Sequence, residues 1–313
     1  MKLMIQIPCY NEELTLPQTF SDLPKHIDGI DKIETQIIDD GSSDRTIDVA
    51  KKLGINHIIK LNTNKGLGFA FKAGVENALK NSSDILVNTD GDNQYKGNYI
   101  KDLVKPIIEK KANLVIGCRP IKDHQEFSFV KKILQLVGSY VVRKLSNTEI
   151  KDVSSGFRAY SREALFNLNI YSNFSYCLES LIQLGLKNMG VTGIDIEVNK
   201  KTRKSRLFNS VFIYIFKQLK IIINVFLVYR SNYVFNFLAF TSFLISILLL
   251  FRYFYLTMFF EALAGSFWPS LVFAFSIFSL SIILYFFGIL ASLNTANRIL
   301  LEELLYISKK NKY

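Results

Sequence analysis

Residues 88–95 read NTDGDNQY and concentrate side chains able to do chemistry. Asp90 and Asp92 stand one residue apart, so an extended backbone turns both carboxylates to one side. With the Gln94 carbonyl they form a set of hard oxygen ligands suited to Mg2+ or Mn2+, with phosphates completing the shell. A lone DxD is also a common polar turn, so the metal reading depends on what stands beside it. A second acidic pair, Asp39 and Asp40, ends the apolar run of IIDDGSSDRT at 37–46. Adjacent carboxylates repel each other and resist burial. Two readings follow: a strand, a turn and a helix N-cap at Ser43 or Asp44, or a ligand site at the carboxyl edge of a sheet.

The elements that must position these groups are legible as alternating short apolar runs and helical patterns, which predict a βα sheet over residues 1–200. Strands are predicted at 3–7, 33–38, 57–61, 85–88, 114–117 and 191–196, and helices at 12–25, 46–53, 68–79, 99–110 and 176–188. Four consecutive strands end in polar segments: PCYNEE (8–13), DDGSSD (39–44), NTNKGLGFAFKAG (62–74) and NTDGDNQY (88–95). Four such ends in a row predict a ligand crevice rather than four unrelated turns. Gly66, Gly68 and Gly74 have the wrong spacing for a dinucleotide fingerprint and follow the third strand instead of the first, and no Walker A lysine motif is present.

The chain carries 38 Lys+Arg against 27 Asp+Glu, yet 49% of it is hydrophobic, so the placement of charge decides what the basic balance means. The positive charge gathers beside apolar segments, which favours an anionic membrane surface over nucleic acid. Residues 233–251 and 267–293 are uncharged and long enough to span a bilayer. Arg230 lies outside one end of this pair, and Arg298, Lys309, Lys310 and Lys312 outside the other. That distribution predicts a hairpin with the sheet-forming half and both chain ends in the cytoplasm. Residues 203–230 hold Lys217 and Lys220 mid-segment, which predicts an amphipathic helix lying in the interface. The expected organisation is therefore 1–202, 203–230, 231–293 and a C-terminal helix or tail at 294–313, itself a second interfacial helix or a solvated helix end. Cys9, Cys118 and Cys177 form no CxxC pair and read as reduced thiols, and the three histidines cluster with nothing that would bind zinc.

Taken in order, IPCYNEE, IIDDGSSDRT, NKGLGFAFKAG, NTDGDNQY and DVSSGFRAY resemble the family 2 glycosyltransferases of the GT-A fold. DGDNQ is similar to the DxDxQ of polyprenyl- and dolichol-phosphate sugar transferases, and TRKSRLFNSVFIYIF followed by two spans is similar to their membrane-attached members. The resemblance implies that Pro8, Tyr10, Asn11 and Glu12 line the nucleotide, that Asp39 and Asp40 hold base and ribose, and that Lys65 sits close by. It implies a divalent ion at Asp90, Asp92 and Gln94 that neutralises a diphosphate leaving group. Arg119 of GCRP would bind the acceptor phosphate, and Arg158 of SGFR would belong to the same active-site wall. Arg203, Ser205 and Arg206 would meet lipid phosphate or donor diphosphate.

One departure stands out. Where relatives carry an arginine and a serine between the GxR and SGFR motifs, this chain has Lys131, Lys132 and, at roughly the serine's place, Gln135. The activity implied is inverting, metal-dependent transfer of a sugar from a GDP- or UDP-sugar to polyprenyl phosphate, an anionic nucleophile that needs no strong base. The alternative is a non-processive transferase with a sugar-hydroxyl acceptor in cell-surface polysaccharide synthesis. It would need a general base, and Asp152 is the candidate. A processive synthase is excluded by its QxxRW motif, because the only tryptophan, Trp268, lies in the second span.

Overall fold

The computed structural model of the chain describes residues 1–120, 129–171, 176–199, 211–259 and 268–313, without the side chains of 129–137 and of 211–230 other than Ile223. The strands are β1 (Lys2–Cys9), β2 (Lys32–Asp39), β3 (His57–Lys60), β4 (Ile85–Asn88), β5 (Leu114–Cys118), β6 (Arg158–Ser161) and β7 (Val191–Asp195). They form one sheet in the order β3-β2-β1-β4-β6-β5-β7. All neighbours are parallel except β6, which runs antiparallel to both β4 and β5. The helices of this half are α1 (Leu16–Ser21), α2 (Thr46–Lys52), α3 (Leu67–Lys80), α4 (Ile100–Ile108), α5 (Phe129–Ser146), α6 (Arg162–Asn167) and α7 (Cys177–Leu186). The predicted mostly parallel α/β sheet is the observed one, and the six predicted strands fall within about a residue or two of their observed bounds.

The centre of the sheet reads as continuous apolar sequence because helices cover both faces. On β1, Leu3, Ile5 and Ile7 are fully buried and join a core with Leu16, Leu103 and Val104. Each such side chain contributes roughly 1.5–3 kcal/mol on burial. Three amides interrupt the pattern on the other face. Gln36 Nε2 donates to Gln6 Oε1 at 3.0 Å, and Gln6 Nε2 donates to Asn88 Oδ1 at 3.0 Å, so β2, β1 and β4 are stitched by side chains as well as by backbone.

At the opposite, amino-terminal edge of β2, Glu34 gathers three bases: Lys2 Nζ at 2.8 Å, Lys32 Nζ at 2.7 Å and His57 Nε2 at 2.8 Å. Burial pushes its carboxyl up, but the hydrogen bonds from Lys2, Lys32 and His57 outweigh that and bring it down to about 2. A depressed carboxyl stabilises the fold above its unfolded value and loses that contribution as pH falls through the folded value. Glu34→Gln is therefore expected to cost about 1–2 kcal/mol at neutral pH. The deficit should shrink between pH 4.5 and about 2, as read from melting curves of parent and variant across that range.

The chain divides into two compact units, Met1–Gln218 with Leu305–Tyr313, and Leu219–Leu304. The second is built from most of α8 (Val211–Phe259) and most of α9 (Trp268–Lys312), whose outer turns belong to the first. Ser231–Phe259 and Trp268–Lys312 are long and apolar enough to cross a membrane. Their large side chains, such as Phe240, Leu248, Phe273 and Phe286, are exposed, while small residues meet between them. Ser246 Oγ donates to Ala274 O at 3.0 Å and Ser281 Oγ to Ala239 O at 2.8 Å, contacts that suit helices paired without a hydrophobic driving force. No break in α8 marks the expected boundary at 230, and residues 203–210 lie outside those described. The tail is helical to Lys312, and its last turns dock on α6 within the first unit. Tyr306 Oη donates to Glu163 Oε1 at 2.9 Å, and Lys309 Nζ lies 3.0 Å from Asn169 Oδ1.

Candidate active site

The carboxyl ends of β1, β2, β3, β4 and β5 share one edge of the sheet, and the antiparallel β6 begins at that same edge. The loop entering β6, Asp152–Phe157, is thereby delivered beside the residues that follow β4 and β5. Pairing of Arg158 with both Asn88 and Ile116 fixes that register.

The loops after β1 and β2 are interlocked. Asn11, at φ +56°, accepts the Ser43 N–H through Oδ1 at 2.8 Å and donates its own N–H to Ser42 Oγ at 2.8 Å. Left-handed backbone of this kind is tolerated by Asn. Glu12 is 5% exposed, its N–H donates to Thr46 Oγ1 at 2.8 Å, and its Oε2 accepts from Thr15 Oγ1 at 2.6 Å. Glu12 thus lies under the site as a structural acid and not on its surface. Tyr10, 40% exposed, is the most open member of the 8–13 segment, and Pro8, Asn11 and Glu13 are half-buried.

The double acid separates into two different environments. Asp40, 6% exposed, spends both oxygens on the loop before α3, accepting Lys65 N–H at 2.8 Å and Gly66 N–H at 2.9 Å. Asp39 is completely covered, and among the described residues its carboxylate accepts long contacts from the Ser42 N–H, 3.3 and 3.4 Å. Both carboxylates are buried beneath the neighbouring turns, where the expectation had them forming a wall against base and ribose. Buried acids at a strand end are stabilised by backbone donors, and here the neighbouring turns supply them. Gly41 between the turns needs its φ of +76°, and a Cβ there would sit 2.8 Å from the Asn64 nitrogen. The helix-start role falls to Asp44, whose Oδ1 accepts the Thr46 N–H at 3.0 Å, while the N-cap position itself is Arg45. Lys65 is exposed, with its ammonium 4.5 Å from the Phe69 ring centroid.

After β4 the burial alternates. Asp90, Asp92 and Gln94 are half-exposed, while Gly91, Asn93 and Tyr95 are buried. The segment is a turn with Asn93 at φ +54° rather than the extended backbone expected, and its three oxygen-bearing side chains are the ones left partly open to solvent. Among the described residues no group of three His, Cys, Asp or Glu side chains converges to hold a metal. The donors available are two carboxylates and an amide oxygen, a set that fits a hard divalent cation sharing its shell with phosphate oxygens.

Arg119, following β5, meets Asp152 in a bidentate pair, Nε to Oδ2 at 2.6 Å and Nη2 to Oδ1 at 3.2 Å. Nη2 also donates to Ser154 Oγ at 2.9 Å. Asp152 is fully buried and additionally accepts the Ser154 N–H at 3.2 Å and the Ser154 hydroxyl at 3.0 Å. Burial pushes the Asp152 carboxyl up, but the charge and hydrogen bonds of Arg119 outweigh it and hold it below the usual carboxylate range. Asp152 is therefore the counter-ion that aims Arg119, with its oxygens already occupied, rather than a base poised to take a proton. Nη1 of Arg119 has no partner among the described residues, which leaves one edge of the guanidinium for a ligand.

Arg158, expected on the wall of the site, is instead wholly enclosed. Nε donates to Ser155 O at 2.7 Å, Nη1 to Cys177 O at 2.7 Å and Ser180 Oγ at 3.0 Å, and Nη2 to Val153 O at 2.8 Å. It begins a strand flanked on both sides, so helices cover it. Its role is to pin the carbonyls of the loop that carries Asp152 and Ser154. The residues that the sequence reading missed are Tyr95 and Ser154, although both stand in segments it singled out. The side chains of Lys131 and Lys132, and the whole of Arg203, Ser205 and Arg206, lie outside the described residues. A cavity of about 540 Å³ runs beside β7, lined by Cys118, Lys151, Gly193 and Asp195, and none of the candidate residues lines it.

Comparison with known proteins assigns the architecture. A family model described as glycosyl transferase family 2 matches residues 4–168. A UDP-N-acetylglucosamine–dolichyl-phosphate N-acetylglucosaminyltransferase of Methanococcus voltae is 32% identical over 198 residues, covering 56% of this chain and 77% of its own. An undecaprenyl-phosphate mannosyltransferase of Micrococcus luteus is 29% identical, over 53% of this chain and 68% of its own. A dolichol-phosphate mannosyltransferase of Pyrococcus furiosus is 30% identical over 58% of this chain, but the match spans only 53% of that relative. Among solved structures, glucosyl-3-phosphoglycerate synthase from Mycobacterium tuberculosis with Mn2+, UDP-glucose and phosphoglyceric acid superposes with a TM-score of 0.56 at 18% identity. That superposition covers 72% of this chain and 78% of the other, and it shows a shared GT-A fold.

Proposed function

The chain belongs to glycosyl transferase family 2, and from that premise we propose that it is a membrane enzyme moving a sugar from a UDP- or GDP-sugar to polyprenyl phosphate, with inversion and with a divalent cation. The observation that carries the choice of acceptor is the state of Asp152. A sugar hydroxyl must lose a proton as it attacks, and the acid that would take it is buried, ionised and bound to Arg119. A phosphate monoester arrives already anionic and needs no base. It needs a donor aimed at it, and the unspent edge of Arg119 is one.

In this reading Tyr10 and Pro8 face the nucleotide, Lys65 stands beside it, and Asp40 shapes the Lys65–Gly66 turn from beneath. Asp90, Asp92 and Gln94 would hold the cation, which when bound neutralises charge on the departing diphosphate. Arg119, held in place by Asp152 and Ser154, orients the acceptor phosphate so that one of its oxygens faces the anomeric carbon opposite the leaving group. The new bond from phosphate oxygen to C1 forms as the bond from C1 to the diphosphate breaks, which inverts the centre. Lys131, Lys132, Arg203, Ser205 and Arg206 are further candidates for the acceptor phosphate. The helical unit is proposed to anchor the chain in the membrane that supplies the lipid, with the catalytic unit and both termini on the cytoplasmic side.

The deciding experiment incubates detergent-extracted protein with Mn2+ or Mg2+, polyprenyl phosphate and a panel of labelled nucleotide sugars. The expected result is label in the organic phase, released by mild acid as the free sugar. Label confined to water-soluble products would favour the hydroxyl-acceptor alternative, and no transfer from any donor would defeat both.

A further inference from the structure

The peptide of Gly156 is gripped from both sides by three buried side chains. Its N–H donates to Tyr95 Oη at 3.2 Å. Its carbonyl accepts from Asn88 Nδ2 at 3.0 Å and from Tyr176 Oη at 2.9 Å, and Asn88 Nδ2 also donates to Tyr176 Oη at 2.7 Å. Asn88 and Tyr176 have no exposed surface and Tyr95 has 3%. Both phenols are immobilised by stacking, Tyr95 on Phe157 at 5.0 Å and 11°, Tyr176 on Phe71 at 3.9 Å and 2°.

The clamped glycine has a neighbour that gives the clamp a purpose. A Cβ on Gly156 would lie 3.1 Å from Asp90 Oδ1 and 3.7 Å from Oδ2. The Asp90 carboxylate therefore rests against the bare Cα of Gly156, and the position of that Cα sets where the carboxylate can lie. Tyr95 belongs to the same loop as Asp92 and Gln94, so its hydroxyl ties the segment bearing two of the proposed ligands to the wall behind the third. Asn88, the last residue of β4, anchors the opposite side of the wall to the rigid centre of the sheet through Gln6.

We propose that Tyr95, Asn88 and Tyr176 are positioning residues that clamp Gly156 as the backstop for Asp90, so that the affinity for the divalent cation is set by this buried clamp as well as by the ligands. The inference rests on the assignment of the cation to Asp90, Asp92 and Gln94. A clamp that merely stabilised the fold would leave cation affinity unchanged in the folded protein. A clamp that aims Asp90 would change it, because a displaced carboxylate loses geometry that the cation requires.

The test measures Mn2+ binding directly, from the loss of the free-ion paramagnetic resonance signal, on the full detergent-solubilised chain with a nucleoside diphosphate present. Each variant's melting curve is recorded first, and binding is measured at a temperature below its transition. Tyr95→Phe, which retains the ring and its stacking, is expected to weaken Mn2+ binding about 5- to 30-fold, and Gly156→Ala at least as much. Tyr160→Phe removes a buried hydroxyl, 3.2 Å from Ser180 Oγ, that takes no part in the clamp, and keeps the ring packed 5.4 Å from Phe71, so Mn2+ affinity should stay within about twofold of the parent. Parental affinity in Tyr95→Phe and Gly156→Ala overturns the proposal, as would an equal loss in Tyr160→Phe. Asp92→Ala in parallel separates the two levels. If it binds Mn2+ as the parent does, the cation assignment itself falls. If it loses Mn2+ while Tyr95→Phe does not, only the clamp falls.

Discussion

Asp92→Ala is expected to lower kcat/KM for sugar transfer about 100- to 1,000-fold at saturating acceptor, the scale seen when a group stabilising transition-state charge is removed. Half-exposed Asp92 leaves no fully buried charge or large cavity behind when truncated, and its Oδ1 accepts the Gln94 N–H at 3.2 Å within its own turn. Its melting temperature should therefore stay within a few degrees of the parent's. The two readouts together are informative, since lost activity with an unchanged melt points to a direct role at the reacting groups. Asp92→Asn sharpens the result. It keeps the size and one oxygen but removes the charge, so it should recover only a small part of the rate at high Mn2+. Full activity in either variant would rule out the cation assignment.

The second large effect concerns Arg119 and the acid behind it. Arg119→Ala is a poor probe, because it would leave Asp152 buried and unpaired at a cost of about 3–5 kcal/mol. Arg119→Lys retains the charge while losing the planar, bidentate geometry. It is expected to raise the KM for polyprenyl phosphate about 30- to 100-fold, with a much smaller change in the KM for the nucleotide sugar. Asp152→Asn tests what the acid does. A general base would leave an acid limb in the pH profile that vanishes on substitution. Because Asp152 is held below its ordinary value of 3.8, its own titration lies on the acid side of that value and outside the working range. The expected acid limb of kcat/KM belongs instead to the acceptor phosphate, near its second ionisation at about pH 6. That limb should keep its position in Asp152→Asn while the acceptor KM rises. A profile that loses the limb in Asp152→Asn would restore Asp152 as a base and, with it, the hydroxyl-acceptor alternative.

What could be read ahead of the structure had a local cause. The strands that carry the site are short apolar runs with polar residues at their ends, and the period-two placement of Asp90, Asp92 and Gln94 lies within five residues of one loop. The two long apolar helices were visible from length and composition alone. The docking of the C-terminal turns on α6 was not, because it depends on partners about 140 residues away, such as Asn169 for Lys309.

The sequence by itself determined the α/β class, the polar strand ends, the proposed oxygen ligands at Asp90, Asp92 and Gln94 as candidates, and the two candidate spans, because periodicity and composition act over a few residues. Only the tertiary structure decided the roles of the remaining charges. β6 slots antiparallel between β4 and β5, bringing Gly156 to Asn88 across 68 residues of chain and Asp152 to Arg119 across 33. That insertion encloses Arg158, turns Asp152 from a candidate base into a counter-ion, and sets a bare glycine behind Asp90. The turns after β1, β2 and β3 likewise fold over Asp39 and Asp40, so an acidic pair that looked like a binding wall became part of its foundation. A charged side chain does what its neighbours leave it free to do, and those neighbours were brought from distant parts of the chain.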